Sequence, residues 1–263
     1  MSVGIYFAIF RVQIKHNLKY GNDFISRMFL MALFIWVLGL LWTTALPMDA
    51  TLKGTLTQHE TLWYLVFTEA FFLSRGNTAL LMTDSIREGS IATQLCKPYN
   101  YILYLASRSL ADTLPFYAAN VAVGGCIVAW AFGARFAPQW LVAAGIITLF
   151  LGWVIDFVIS ALIGCLAFVM EDTSPVTWIY SKLLLILGGA MIPLDFFPER
   201  LAKFAAQTPF ALTLFSPARL MVRPDAQLFL NLVAMQALWC VVLSLILAMG
   251  FRRMSSQLSI NGG

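Results

Sequence analysis

Charged residues are spaced so widely along the chain that six windows remain, each apolar and long enough for a membrane-crossing helix. A hydrocarbon core of about 30 Å takes about 20 apolar residues in a helix. The first window, 28–46, has no charge, the second, 61–82, carries Glu69 and Arg75, and the third covers 113–133. The fourth, 140–170, is interrupted only by Asp156; at about 1.5 Å per residue it is near 46 Å long, so it must tilt, bend or protrude. The fifth, 174–194, contains Lys182, and the sixth, 226–251, ends at Arg252 and Arg253. The longest pieces left over, 1–27 and 195–225, cannot bury a core of their own. The pattern therefore predicts one all-α membrane domain over 1–263 with six transmembrane helices. The N-terminal stretch exceeds an ordinary signal-peptide n-region, so the first helix is expected to stay.

Composition agrees: 60% of residues are hydrophobic, 11% are charged and mean hydropathy is +0.80, which leaves too little polar surface for a water-soluble domain. The formal charge of +4 is modest, and membrane proteins concentrate such an excess in cytoplasmic loops, so nucleic acid is not an expected partner. Arg11, Lys15, Lys19, Arg27, Arg75, Arg87, Lys97, Arg108, Arg252 and Arg253 fall on one side of the six-span layout. Lys53, Arg135, Arg200, Lys203, Arg219 and Arg223 fall on the other. The excess on the first side predicts cytoplasmic termini. Cys96, Cys126, Cys165 and Cys240 are too scattered for a disulfide framework or a CxxC pair and read as small apolar residues.

Three segments outside the spans carry patterns. Val3, Phe7, Phe10, Ile14 and Leu18 recur at helical spacing, with Arg11, Lys15 and Lys19 on another face. This reads as an interfacial helix against anionic lipid, or as a specific protein contact. Between spans two and three, Gly89 breaks a helix, Ser90 can cap the next and Pro98 ends it. That leaves about two turns, 91–97, either as a rigid lever along the membrane or as a simple capped turn. After span five, Gly188, Gly189 and Pro193 weaken the helix end, Pro198 can start another, and Pro209 and Pro217 break the chain again beyond it. Phe197, Leu201, Phe204 and Ala205 share a face there, so short amphipathic helices are expected to dip into the outer interface.

The run Arg87-x-Gly89-x-Ile91-x-x-x-Leu95-x-x-Pro98 resembles the coupling-helix region of membrane subunits of type-2 ABC exporters. The series Gly189, Pro193, Phe196, Phe197, Pro198, Pro209, Phe210 and Pro217 is similar to the external re-entrant hairpin that closes the pathway in that family. The resemblance covers the whole chain in span number and loop order, and specific motifs in these two stretches. It implies that Arg87, Glu88, Gly89, Ile91, Leu95 and Pro98 make or shape a contact with a separate ABC ATPase subunit. It further implies a second permease subunit, identical or related, lipid contacts, a bacterial inner membrane and export as the direction. ATP and Mg would be held by the partner, with no cofactor or metal in this chain.

Charges inside spans are costly and usually face protein, water or a partner charge. Glu69, Asp112, Asp156 and Lys182 are the candidates. Asp156 and Lys182 lie about 22 Å and 16 Å from their shared loop at Glu171, near enough to pair. Such groups serve either as structural glue or as pathway lining. Asn120, Asn231 and Gln236 are expected to make interhelical hydrogen bonds, and Gly124, Gly125, Gly152 and Gly164 to permit close helix contact. GxxxxGK[ST] is absent, and His16 and His59 are the two histidines. Nucleotide hydrolysis in this chain, HExxH zinc chemistry and a serine–histidine pair therefore fail. An ion-coupled secondary transporter using Glu69 or Asp156 is the alternative, although the two halves lack an obvious inverted repeat. A non-transporting membrane scaffold is the other.

Overall fold

In a membrane the backbone must satisfy itself, and helices do this within one segment; among the described residues the chain is all helix, with no strand. The computed structural model describes residues 3–19, 21–46, 56–136 and 142–261. Lys53 and residues 140–141, named above, lie outside them, as do the side chains of Val3 and Leu18.

The helices are α1 (Val3–Lys19), α2 (Gly21–Ala45), α3 (Gln58–Ser74), α4 (Thr78–Arg87), α5 (Ser90–Leu95) and α6 (Tyr101–Ala131). Then come α7 (Val142–Cys165), α8 (Ser174–Ile186), α9 (Glu199–Ala206), α10 (Pro209–Thr213), α11 (Phe215–Val222) and α12 (Ala226–Asn261). Four stretches are long and apolar enough to cross a bilayer unaided: Asp23–Ala45, Tyr101–Ala131, Ala143–Phe168 and Ala226–Arg253. The other two expected spans are not continuous. Residues 75–77, at Gly76 and Asn77, interrupt 61–82, and α8 stops at Ile186, eight residues short of 194. The third starts at Tyr101 rather than near 113, because Asn100 caps it, accepting from the Leu103 amide at 3.1 Å. The fourth changes to a 3-10 turn at Leu166–Phe168 instead of continuing to 170.

Pro115 sits inside α6 and supplies no N–H, which leaves the Ala111 carbonyl without its helical donor. Asn17 of α1 donates Nδ2 to that oxygen at 3.2 Å and to Asp112 Oδ1 at 2.9 Å, and Gln13 Nε2 reaches Asp112 at 2.8 Å. The N-terminal helix is thus bonded to α6 through a polar stripe one turn long. Its exposed apolar residues include Phe7 and Val12.

Apolar side chains gain little by leaving lipid for protein, so helix contact depends on close packing and small residues. The glycines of α7 do this. A Cβ on Gly152 would lie 2.8 Å from the Thr213 carbonyl oxygen, one on Gly164 2.8 Å from Met82 Cβ, and one on Gly145 2.6 Å from Met221 Cγ. α7 therefore carries α4, α10 and α11 at close range, while α12 packs along its length. Gly124 and Gly125 of α6 do the same for Met31 and Trp63. Gln236 joins the layers by donating to the carbonyls of Thr148 and Leu212, both at 2.8 Å. Asn120 donates to Ser74 Oγ at 2.9 Å. Asn231 departs from expectation: it is exposed, with no interhelical hydrogen bond among the described residues. Cys165 is buried, whereas Cys96 and Cys126 are exposed.

Candidate functional site

The first region is the corner between α4 and α5. Gly89 has φ 71°, the left-handed conformation that glycine adopts without a Cβ penalty. The chain therefore reverses there, with the Gly89 amide donating to the Ile86 carbonyl at 3.1 Å. Ser90 does not cap the new helix: Gly89 occupies the cap position, and Ser90 Oγ donates back to the Ser85 carbonyl at 3.3 Å. α5 is six residues long, shorter than the two turns expected. Ile91 is fully buried and anchors the corner, whereas Arg87, Glu88, Leu95 and Pro98 are exposed. Of the six residues picked out by motif, four thus offer side chains to a partner, Gly89 makes the turn and Ile91 holds it down.

The corner is tied to its surroundings. Tyr6 of α1 accepts from the Asn100 amide at 3.0 Å, and the hydroxyls of Thr83 and Thr173 bond at 2.6 Å. In the loop that holds Thr173, Asp172 accepts from the Ser174 hydroxyl and amide, which keeps its pKa below the usual carboxylate value.

The second region is where α3 breaks. Arg75 Nε bonds to Asp156 Oδ1 at 2.7 Å, and the Tyr180 hydroxyl donates to the same oxygen at 2.8 Å. The guanidinium carbon lies 4.8 Å from the Tyr180 ring centroid. Asp156 therefore pairs with Arg75, not with Lys182, which lies exposed on α8 with its ammonium 5.1 Å from the Trp178 ring centroid. Distance along a helix predicted the wrong partner because Lys182 and Asp156 point to different faces. Arg75 and Tyr180 were missed as site residues. The breaker pair Gly76–Asn77 next to Arg75 was the available signal. Asp112 is taken up by Gln13 and Asn17. Glu69 is buried, and its Oε1 has no hydrogen-bond partner among the described residues.

The third region joins α8 to α12. Gly189 has φ 69°, and a Cβ there would lie 2.8 Å from the Tyr64 hydroxyl oxygen. That hydroxyl donates to the Gly189 carbonyl at 2.6 Å, and Thr68 Oγ1 reaches the Ala190 carbonyl at 3.3 Å. Two α3 side chains thus hold the turn after α8. Pro193 and Pro217 are buried; Phe196, Phe197, Pro209 and Phe210 are half-buried; Pro198 starts α9 from an exposed position. Asp195 and Arg219 tie the start of this segment to α11, with Nε 3.0 and 3.2 Å from the two carboxylate oxygens. Arg223 makes two bonds to Glu60, at 3.2 and 2.8 Å. Burial works against the Glu60 carboxylate, but the Thr57 amide and the Arg223 guanidinium outweigh it and hold its pKa below the usual value. α9 leaves Leu201 and Phe204 exposed while Ala205 is buried, so the described residues cover only part of its apolar face.

Family comparison adds a different kind of observation: the model for "ABC-2 family transporter protein" matches residues 57–262. The chain belongs to that family. The match takes in all three regions and leaves out α1 and α2. No curated protein matches the sequence. An ABC-2 family protein is the membrane permease component of an ABC transporter, generally without catalytic activity of its own, and it implies an ABC ATPase as partner. In this ABC-2 chain the matched residues hold the helical corner, the buried ion pair and the segment tied to α3 and α11 after α8. No His, Cys, Asp and Glu group among the described residues could hold a metal ion.

Proposed function

We propose that this chain is the permease half of an ATP-driven exporter, coupled to a separate ABC ATPase through the α4–α5 corner and paired with a second permease subunit. The observation that carries the reading is the corner itself: a left-handed Gly89 flanked by exposed Arg87, Glu88 and Leu95, with Ile91 buried beneath. Rigid elements connect it to the interior. α4 runs from the corner to the break at residues 75–77, where Arg75 holds Asp156 of α7. A displacement of α5 is passed along α4 to α7 because packed helices move as bodies rather than deform. In this reading α3 with α4, and α8 with the turns after it, are broken crossings that complete six. The segment from Pro193 to Pro217 is a re-entrant hairpin gating the outer end, and both termini face the cytoplasm of a bacterial cell whose inner membrane holds the chain.

A second reading, transport driven by an ion gradient, is favoured by the unpartnered carboxyl of Glu69; Asp156 no longer supports it, being held by Arg75 and Tyr180. One experiment separates the two. Tagged chain is recovered from native membranes beside a Leu95→Asp variant, and the co-purifying proteins are identified by mass spectrometry. Under the ABC reading an ATPase accompanies the parent and is lost from the variant, whose melting temperature is unchanged. A chain recovered alone in both samples, and active on its own under an ion gradient, overturns it.

A further inference from the structure

Between the segment after α8 and the start of α12 lies an open cleft of about 650 Å³, the size of cavities that hold small ligands. Three helices each turn one stripe toward it. α9 contributes Glu199, Ala202, Lys203 and Ala206; α11 contributes Phe215, Ser216 and Arg219; α12 contributes Leu228, Asn231, Leu232 and Met235. The spacing of i, i+3, i+4 and i+7 on α9 and α12 makes each stripe a continuous wall.

Most of the lining is apolar, with two acids and two bases among it: Glu199 and Lys203 are exposed, whereas Asp195 and Arg219 are largely enclosed. Asp195 accepts from Arg219 through Nε, and Glu199 from Lys203 at 2.6 Å. The charges cancel, so the lining as a whole has no net attraction for an anion or a cation. It is suited to a headgroup that carries both. Arg219 uses Nε on Asp195, and its terminal amino groups have no bonding partner among the described residues, nor do the Asn231 amide and the Ser216 hydroxyl. A guanidinium with its outer donors open matches phosphate oxygens, and the Glu199 oxygen that Lys203 does not use, Oε2, supplies an acceptor for an ammonium. Past Asn231, Leu232 and Met235 continue along α12 for about 6 Å, and α12 is one of the helices able to cross the bilayer. A polar end at the head of a membrane helix and an apolar wall running inward give the cleft the orientation of an amphiphile.

We infer that the cleft binds a phospholipid with a zwitterionic headgroup of the phosphoethanolamine type, its phosphate on Arg219 and Asn231, its ammonium toward Glu199, and an acyl chain along Leu232 and Met235. The inference goes beyond the permease reading and does not need the ATPase.

The test is native mass spectrometry of the full-length chain in mild detergent, offered equimolar phosphatidylethanolamine and phosphatidylglycerol with identical acyl chains. Adducts of the first should exceed those of the second by about two- to fivefold, since only the first presents a cation to the exposed Glu199. Ala202→Trp fills the cleft and should abolish the preference and most of the binding. Glu199→Lys puts a cation where the ammonium would sit, from an exposed position, and should weaken phosphatidylethanolamine binding severalfold and remove the preference without lowering the melting temperature. Equal retention of the two lipids, an undiminished adduct in both variants, or a parent chain without lipid, including one recovered as a dimer that covers the cleft, overturns the inference. A second arm separates the source of the ligand in membranes that hold the ATPase. A resident bilayer lipid stays bound when ATP is added, whereas an exported amphiphile with the same headgroup is discharged.

Discussion

Asp156 is one carboxylate with two donors on one oxygen, the Arg75 guanidinium at 2.7 Å and the Tyr180 hydroxyl at 2.8 Å. Both members of the pair are nearly closed off, with side chains 11% and 6% exposed. Burying two charges gains little over an apolar filling of the same shape, but stranding one of them is expensive. Arg75→Gln should therefore destabilise the chain by about 3–5 kcal/mol. Arg75→Met combined with Asp156→Leu and Tyr180→Phe removes charges and donors together, and should return stability to within about 1 kcal/mol of the parent. Unfolding followed in detergent measures both. A single variant as stable as the parent removes the pair from the structural account and returns Asp156 to the residues free to titrate. Asp156 was legible in the sequence as a charge inside a long apolar run. Its partner was not, because side-chain direction depends on helix rotation, and linear spacing does not specify that.

At the scale of elements, α7 sets distances that its neighbours must accept. Gly152 lies so close to the α10–α11 junction that a methyl group would contact the Thr213 carbonyl oxygen at 2.8 Å. Backbone cannot yield as a side-chain tip does, so Gly152→Ala should cost about 1–3 kcal/mol despite the better helix propensity of alanine. Gly250 of α12 has nothing within 4 Å of an added Cβ. There the same substitution keeps only the propensity term and should stabilise by about 0.5–1 kcal/mol. Opposite shifts in melting temperature are the expected result, and equal shifts would mean that α7 is not held at the distance described. The close-contact role of Gly152 was readable from its place in an apolar helix, whereas which glycine meets backbone and which meets lipid was not. The break in α3 shows the same division. Gly76 and Asn77 are common breakers, yet a run of apolar residues on both sides read as one span, and Arg27 of α2 supplies a donor, at 3.3 Å, to the Leu73 carbonyl that the interruption frees.

At the scale of the molecule, orientation decides whether the α4–α5 corner can meet an ATPase. Cys96, at the end of α5, is exposed, and Cys126 is exposed on α6 within a helix able to cross the bilayer. If the corner faces the cytoplasm, a membrane-impermeant maleimide should modify Cys96 in inside-out vesicles and not in intact cells, and should leave Cys126 unmodified in both. Labelling of Cys96 in intact cells would reverse the topology and end the coupling proposal. Much of the architecture was determined by the sequence alone, because a bilayer imposes length and apolarity on every unbroken span, and glycine and proline mark where helices stop. The first, third, fourth and sixth windows became long helices for that reason, with ends adjusted by caps such as Asn100. Tertiary structure decided what depends on which way helices face one another. It joined Arg75 to Asp156, set Asn17 on the carbonyl freed by Pro115, turned Asn231 into a cleft, and left Lys182 on an open face of α8. Hydrophobic pattern carries little of this information, since in a lipid solvent an apolar face has no preferred partner and a few polar contacts and small residues choose the rotation.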